Sequence, residues 1–160
     1  KNIDYRKSYS SKKNGGGVIL DLSHELDYAV WLFGNLKPKF VINKKISDLN
    51  IQSDDYLSLF CQNEKKTNLQ INLNYFMKNS IRKILVDGKN ISISLDLIKN
   101  ILSVYKEEKH FINKINNFDK NLMYKNQHED IINKKFKKVA TFKESISLMK
   151  LIDRIKKAKN

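Results

Sequence analysis

Asp21, His24, Glu25 and Asp27 lie within the stretch GGGVILDLSHELDYAVWLFG, running from Gly15 to Gly34 in one of the most apolar parts of a polar chain. Asp21 and His24 sit about one helical turn apart, a spacing at which an acid and an imidazole can share a proton or a substrate hydroxyl. The pair also has the chemistry of metal ligands, but no second His or Cys stands nearby at ligand spacing. Gly15, Gly16 and Gly17 either turn backbone N–H groups toward an anion or act as a hinge between an arm and a helix. No Lys-Ser/Thr follows them, as a phosphate loop would require. An ordinary amphipathic helix with a solvated side accounts for the same residues, and local pattern leaves both readings open.

These side chains need a helix to carry them, and the periodicity over residues 18–33 predicts one. Val18, Ile19, Leu22, Leu26, Ala29, Val30 and Phe33 gather on one side, with Asp21, His24, Glu25 and Tyr28 on the other. Gly34 suits the left-handed position that ends a helix, and Pro38 supports the stop. Upstream, residues 1–14 form a polar arm expected to be loop or extended.

From about residue 39 to 106 the period changes to two. Tyr56-Leu-Ser-Leu-Phe-Cys precedes Leu69-Gln-Ile-Asn-Leu-Asn-Tyr, with NEKKTN as a hairpin loop and Leu69, Ile71, Leu73 and Tyr75 on one face. Asp87-Gly88 between two strand-like runs signals a tight turn, and Ile101-Leu-Ser-Val-Tyr continues the meander. The apolar face of Leu69, Ile71 and Leu73 needs cover from helices or a partner subunit. Residues 111–134 carry a helical period, and Thr141-Phe-Lys-Glu144 is a capping box opening a last helix with Ile146, Met149, Leu151, Ile152 and Ile155 as its buried stripe. The layout is α+β, an open and mainly antiparallel sheet with helices on one face.

Composition bounds the rest. A chain of 160 residues, 41% of them hydrophobic, suits one folded domain. The net charge of +14 invites a nucleic-acid reading. Only Arg6, Arg82 and Arg154 of the 31 basic residues are arginines, however, and the lysines are spread out, with small clusters such as Lys134, Lys135, Lys137 and Lys138. Joint enrichment in Lys, Ile and Asn matches an AT-biased genome, so no nucleic-acid partner is expected. No apolar run is long enough to span a membrane. The start is polar rather than signal-like, begins with Lys rather than Met, and leaves room for a longer protein; a single cysteine, Cys61, fits a reducing cytoplasm and packs as a small hydrophobe in its strand. His110 and His128 lie in polar segments and read as surface residues. G-x-G-x-x-G cannot be drawn on the five glycines, so the chain contains no dinucleotide fingerprint.

The stretch from Gly15 to Gly34 is similar to the glycine–acid–histidine motif of the Gfo/Idh/MocA oxidoreductases, the family of glucose–fructose oxidoreductase and inositol dehydrogenase. Asp4-Tyr5-Arg6-Lys7-Ser8-Tyr9-Ser10 resembles the approach to that motif in members from bacterial surface-sugar pathways, and the order helix, meander, closing helix over Thr141–Lys156 matches the family's C-terminal domain. The resemblance implies that residues 1–160 are a single C-terminal substrate-binding and oligomerisation domain of dihydrodipicolinate reductase-like fold. A Rossmann domain with the glycine fingerprint and the Lys of an E-K-P motif would precede it, binding NAD or NADP. His24 would pass the hydroxyl proton during hydride transfer to or from the nicotinamide, and Asp21 would orient substrate and imidazole. Gly15, Gly16 and Gly17 would lie near the nicotinamide cleft, and Arg6, Tyr9 and Tyr28 would reach a sugar-like substrate. Homo-oligomerisation through the sheet face is implied too, as is inactivity of this half alone. Many members have four residues from Asp to His where this chain has three, and both spacings keep the pair on one helix face. The rival readings are a basic module for nucleic acid or another polyanion, and a scaffolding homologue without turnover.

Overall fold

The arm is not extended. It folds into two single-turn 3₁₀ helices, Tyr5–Lys7 and Tyr9–Ser11, capped by the side chains of Asp4 and Ser8. These observations come from a computed structural model that describes residues 4–115, 119–137 and 139–158. The chain divides into two units, one formed by Lys1–Phe76 with Ala140–Asn160 and the other by Met77–Val139.

In the first unit the helix expected over 18–33 is broken in two: α1 spans Val18–Asp21 and α2 spans Ser23–Phe33. Leu22 sits between them at φ −103° and ψ 26°, in the bridge region. The hydrogen-bond ladder tightens there, because Glu25 N–H reaches back only three residues, to Leu22 O at 2.9 Å. Gly34 closes α2 at φ 78°, a conformation that suits glycine.

Three antiparallel strands follow in the order β1-β2-β3: Leu36–Lys44, Tyr56–Asn63 and Asn68–Asn74. Pro38, expected only to stop the helix, lies inside β1, where the register with β2 slips between Pro38 and Phe40. An edge strand tolerates this proline, which has no N–H to give to a ladder. The capping box forms as read: Thr141 N–H donates to Glu144 Oε2 at 2.7 Å, and Glu144 N–H donates to Thr141 Oγ1 at 3.3 Å. It opens α4, Phe142–Lys157.

Val18, Ile19, Leu26 and Ala29 of the first two helices bury against Val41, Leu57, Leu59, Cys61, Leu69 and Leu73 of the sheet and Leu151, Ile152 and Ile155 of α4. Each large side chain so buried contributes about 1.5–3 kcal/mol. Thus the face of Leu69, Ile71 and Leu73 finds its cover within the chain. The stripe read for α4 needs correcting: Ile146 and Met149 are exposed, and Leu148 packs against the core instead.

The second unit holds a four-stranded antiparallel sheet, β4-β5-β6-β7, made of Lys83–Gly88, Ile91–Asp96, Ile101–Lys106 and Lys109–Lys114. Two expectations are overturned here. Asp87-Gly88 is no tight turn: both residues are paired, with Ser92 and Ile91, and Lys89-Asn90 makes the connection. Residues 111–114 belong to β7, and the helix α3 spans only Lys120–Ile132, with the intervening 116–118 outside the described residues, as is Lys138. Phe111 and Ile112 are adjacent apolar residues, a spacing that fits a helix stripe, yet ladder pairing with β6 decides the segment. His110 and His128 are exposed, as read.

Candidate functional site

Asp21 ends α1 and His24 lies in the first turn of α2, so the break at Leu22 separates them onto different helical segments. Among the described residues no hydrogen bond joins the two. His24 is half exposed, and its Nε2 lies 3.2 Å from Glu25 Oε1. Asp21 instead accepts a hydrogen bond from the phenol of Tyr9, whose Oη lies 2.5 Å from Asp21 Oδ1. That bond holds the Tyr9 hydroxyl above its ordinary pKa, because losing the proton would leave two negative oxygens face to face. Tyr9 remains 60% exposed, so the bonded phenol still meets solvent.

The glycines explain how the arm comes this close. A Cβ on Gly16 would sit 2.5 Å from the carbonyl oxygens of Lys12 and Tyr9, and one on Gly17, at φ 100°, would sit 2.3 Å from Asp54 Oδ1. Only glycine lets the arm's 3₁₀ turn and Asp54 pack against the start of α1. Gly17 N–H donates to Ser10 O at 2.9 Å, and Val18 N–H, at the start of α1, donates to Asp54 O at 3.0 Å. Gly16 and Gly17 thus serve close packing, and α1 is a single turn.

Arg6 is tied to its own cap. Its Nε lies 2.8 Å from Asp4 Oδ1 and its Nη2 lies 2.9 Å from Oδ2, a bidentate pair on the surface. Tyr28, one turn after His24, is half-buried on α2.

The fold adds two residues that the sequence did not single out for chemistry. Tyr75, just past β3, has a buried hydroxyl with no partner at hydrogen-bonding geometry. Burial pushes its pKa upward first, and the neighbouring Asp21, Asp54 and Tyr9 push it further. Asp54 precedes β2; with the Asn43 amide nitrogen turned toward it, Asn43 donates to Asp54 Oδ2 at 3.1 Å. Tyr9, Asp21, Asp54 and Tyr75 thus form one polar cluster drawn from four separate segments. Tyr75 showed in the sequence only as a strand position, and nothing in QSDDY marks Asp54. Elsewhere in this unit, a pocket of about 290 Å³ is lined by Asn35, Lys37, Glu64, Ser147, Lys150 and Arg154 among others, and no candidate site residue borders it. No group of His, Cys, Asp and Glu among the described residues could hold a metal ion.

No known family's sequence profile matches the chain, and no curated protein matches it. Solved structures do. A protein from Erwinia carotovora atroseptica described as an oxidoreductase superposes on 100% of the chain with a TM-score of 0.77 and 11% identity, the match covering 53% of that protein. The UDP-N-acetylglucosamine 3-dehydrogenase GnnA from Acidithiobacillus ferrooxidans matches 88% of the chain and 46% of its own length, at TM-score 0.70 and 16% identity. KijD10, a 3-ketoreductase from Actinomadura kijaniata in complex with NADP and TDP-benzene, matches 96% of the chain and 50% of its own length, at TM-score 0.72 and 9% identity. The fold is that of Gfo/Idh/MocA-type oxidoreductases. It is the α+β fold of their C-terminal portions. The chain spans about half the length of these Gfo/Idh/MocA-type structures.

Proposed function

We propose that this chain is the substrate-binding half of an NAD(P)-dependent oxidoreductase that moves a hydride between nicotinamide and a hydroxyl or carbonyl of a sugar or sugar derivative. The observation that carries the reading is the match of the fold, over nearly all of the chain, to about half of oxidoreductases such as GnnA and KijD10. A half-length match fits a protein whose other domain binds the cofactor, as does a chain without a glycine fingerprint. Residues 1–160 then form a C-terminal domain that is inactive alone, working in the cytoplasm in bacterial carbohydrate or surface-polysaccharide metabolism.

Bound nicotinamide would supply the hydride chemistry; this chain supplies the proton and the positioning. His24, half exposed, turns Nε2 to Glu25 Oε1, which leaves Nδ1 to take the hydroxyl proton as a carbonyl forms and to return it in the reverse direction. Glu25 compensates the charge that the imidazole gains and holds one ring nitrogen. Asp21 and Tyr9, joined by their short bond, present a carboxylate and a phenol to sugar hydroxyls, and Tyr28 lies one turn beyond His24 on the same helix.

The test is turnover of the full-length enzyme after His24→Ala and His24→Asn, with UDP-N-acetylglucosamine and NAD or NADP as first probes. A loss of about 10²–10⁴ in kcat/KM is expected for a general acid–base residue. Retention of wild-type kcat/KM in both variants would remove His24 from the mechanism.

A further inference from the structure

The hydroxyl of Tyr75 is the one buried side-chain polar atom among the described residues left without a hydrogen-bond partner. A buried phenol with nothing to donate to is costly and rare. Its surroundings are far from apolar. Asp21 is its strongest neighbour after the effect of burial itself, both as charge and as acceptor, followed by Asp54 and Tyr9. The atom thus stands close to a carboxylate without quite meeting it.

Two acids compete for one proton, and their other bonds decide between them. Asp54 accepts from the Asn43 amide at 3.1 Å and packs against Gly17, where a Cβ would touch its carboxylate. Among the described residues, Asp21 accepts at hydrogen-bonding geometry from one side-chain donor, Tyr9, on Oδ1. The acid with the greater remaining demand is Asp21.

We propose that Tyr75 is a positioning residue whose buried hydroxyl closes onto Asp21 and, through that carboxylate, fixes the exposed phenol of Tyr9 as a hydroxyl-binding contact for the substrate. This rests on the reading of the chain as a substrate-binding half. It reassigns Asp21 from orienting His24, which Glu25 meets, to holding Tyr9. The side of Asp21 away from Tyr9 is thereby anchored in the fold, so the phenol keeps its direction although most of its ring is in solvent.

Two measurements test it, neither of which uses turnover, so they stand or fall apart from the role of His24. The first is a double-mutant cycle of Tyr75→Phe and Asp21→Asn, near-isosteric changes that remove an oxygen and a charge, followed by urea unfolding of the protein. Coupling of about fivefold or more in the unfolding equilibrium constant is expected. Additive effects, or a higher unfolding midpoint for Tyr75→Phe than for wild type, would mean an idle hydroxyl and overturn the proposal. The second follows the NMR resonance of an isotope label at Tyr9 Cζ. Tyr75→Phe should shift it while the other surface tyrosines stay in place, and an unmoved Tyr9 signal would equally overturn it.

Discussion

Cys61 shows how a single residue ties the fold to pH. The thiol is fully buried on β2, and burial pushes its pKa up from 9.0 to about 11. A folded-state value above the unfolded one means that stability is complete below pH 9 and is withdrawn as pH rises through about 11. Tyr75, also raised, acts in the same direction at still higher pH. Urea midpoints measured at about pH 8 and about pH 11 should therefore fall for wild type. Cys61→Ala should start lower, having lost packing, but fall less between the two. Equal falls would show that the thiol does not contribute. The same burial predicts that alkylating reagents leave Cys61 untouched at neutral pH until denaturant is added. At this scale the residue types were legible and their partners were not. Asp21 and His24 stood out by spacing, whereas Tyr9 pairs with Asp21 only because the triple glycine lets the arm fold back, and Tyr75 and Asp54 arrive from other segments.

Among the elements, α4 was the most legible, because its start is written in local chemistry. Thr141 and Glu144 satisfy each other's backbone N–H at the start of the helix, and Leu151, Ile152 and Ile155 bury as expected. The β2–β3 hairpin was equally plain, since alternation over Leu69, Ile71 and Leu73 matches a half-covered sheet. Where two signals conflicted, tertiary pairing won. LKPKFVINK carries a proline and three lysines yet forms β1, and KHFINK lacks alternation yet completes the second sheet. The break at Leu22 left no trace in the sequence, because a one-residue tightening of the ladder preserves the apolar stripe on both sides of it. The cap gives an element-scale prediction. Thr141→Ala should lower stability by about 1 kcal/mol and Thr141→Ser by much less. Denaturant unfolding would read the loss globally, because the last three turns of α4 bring Leu151, Ile152 and Ile155 to the core. An unchanged midpoint in Thr141→Ala would mean that α4 docks without help from its cap.

At the scale of the whole molecule, the two units differ in how they bury apolar surface. Every buried hydrophobic residue described belongs to the first unit. In the second, the register places Ile84, Val86, Ile91, Ile93, Leu95, Leu102, Val104 and Phe111 on one face of the sheet, and not one of them is fully buried. The opposite face is mixed: Leu85, Tyr105 and Ile112 are exposed there beside Lys83, near Asp96 at 3.8 Å, and Ser92, which donates to Asp87 at 2.6 Å. One continuous apolar face across four strands is the pattern of a surface that another element covers. Self-association through this sheet, rather than through the face of Leu69, Ile71 and Leu73 now found inside the core, is the proposal that follows. A stable interface needs roughly 800 Å² from each partner, which a four-stranded sheet can supply. Phe111 lies on the edge strand and is 58% exposed, so Phe111→Lys should leave the fold intact while placing a charge in the interface. Sedimentation velocity should then show wild type as an oligomer and Phe111→Lys shifted toward monomer, with unchanged circular dichroism. A wild type that sediments as a monomer at every concentration tried, or a variant that associates as well as wild type, would leave the apolar sheet to a different partner.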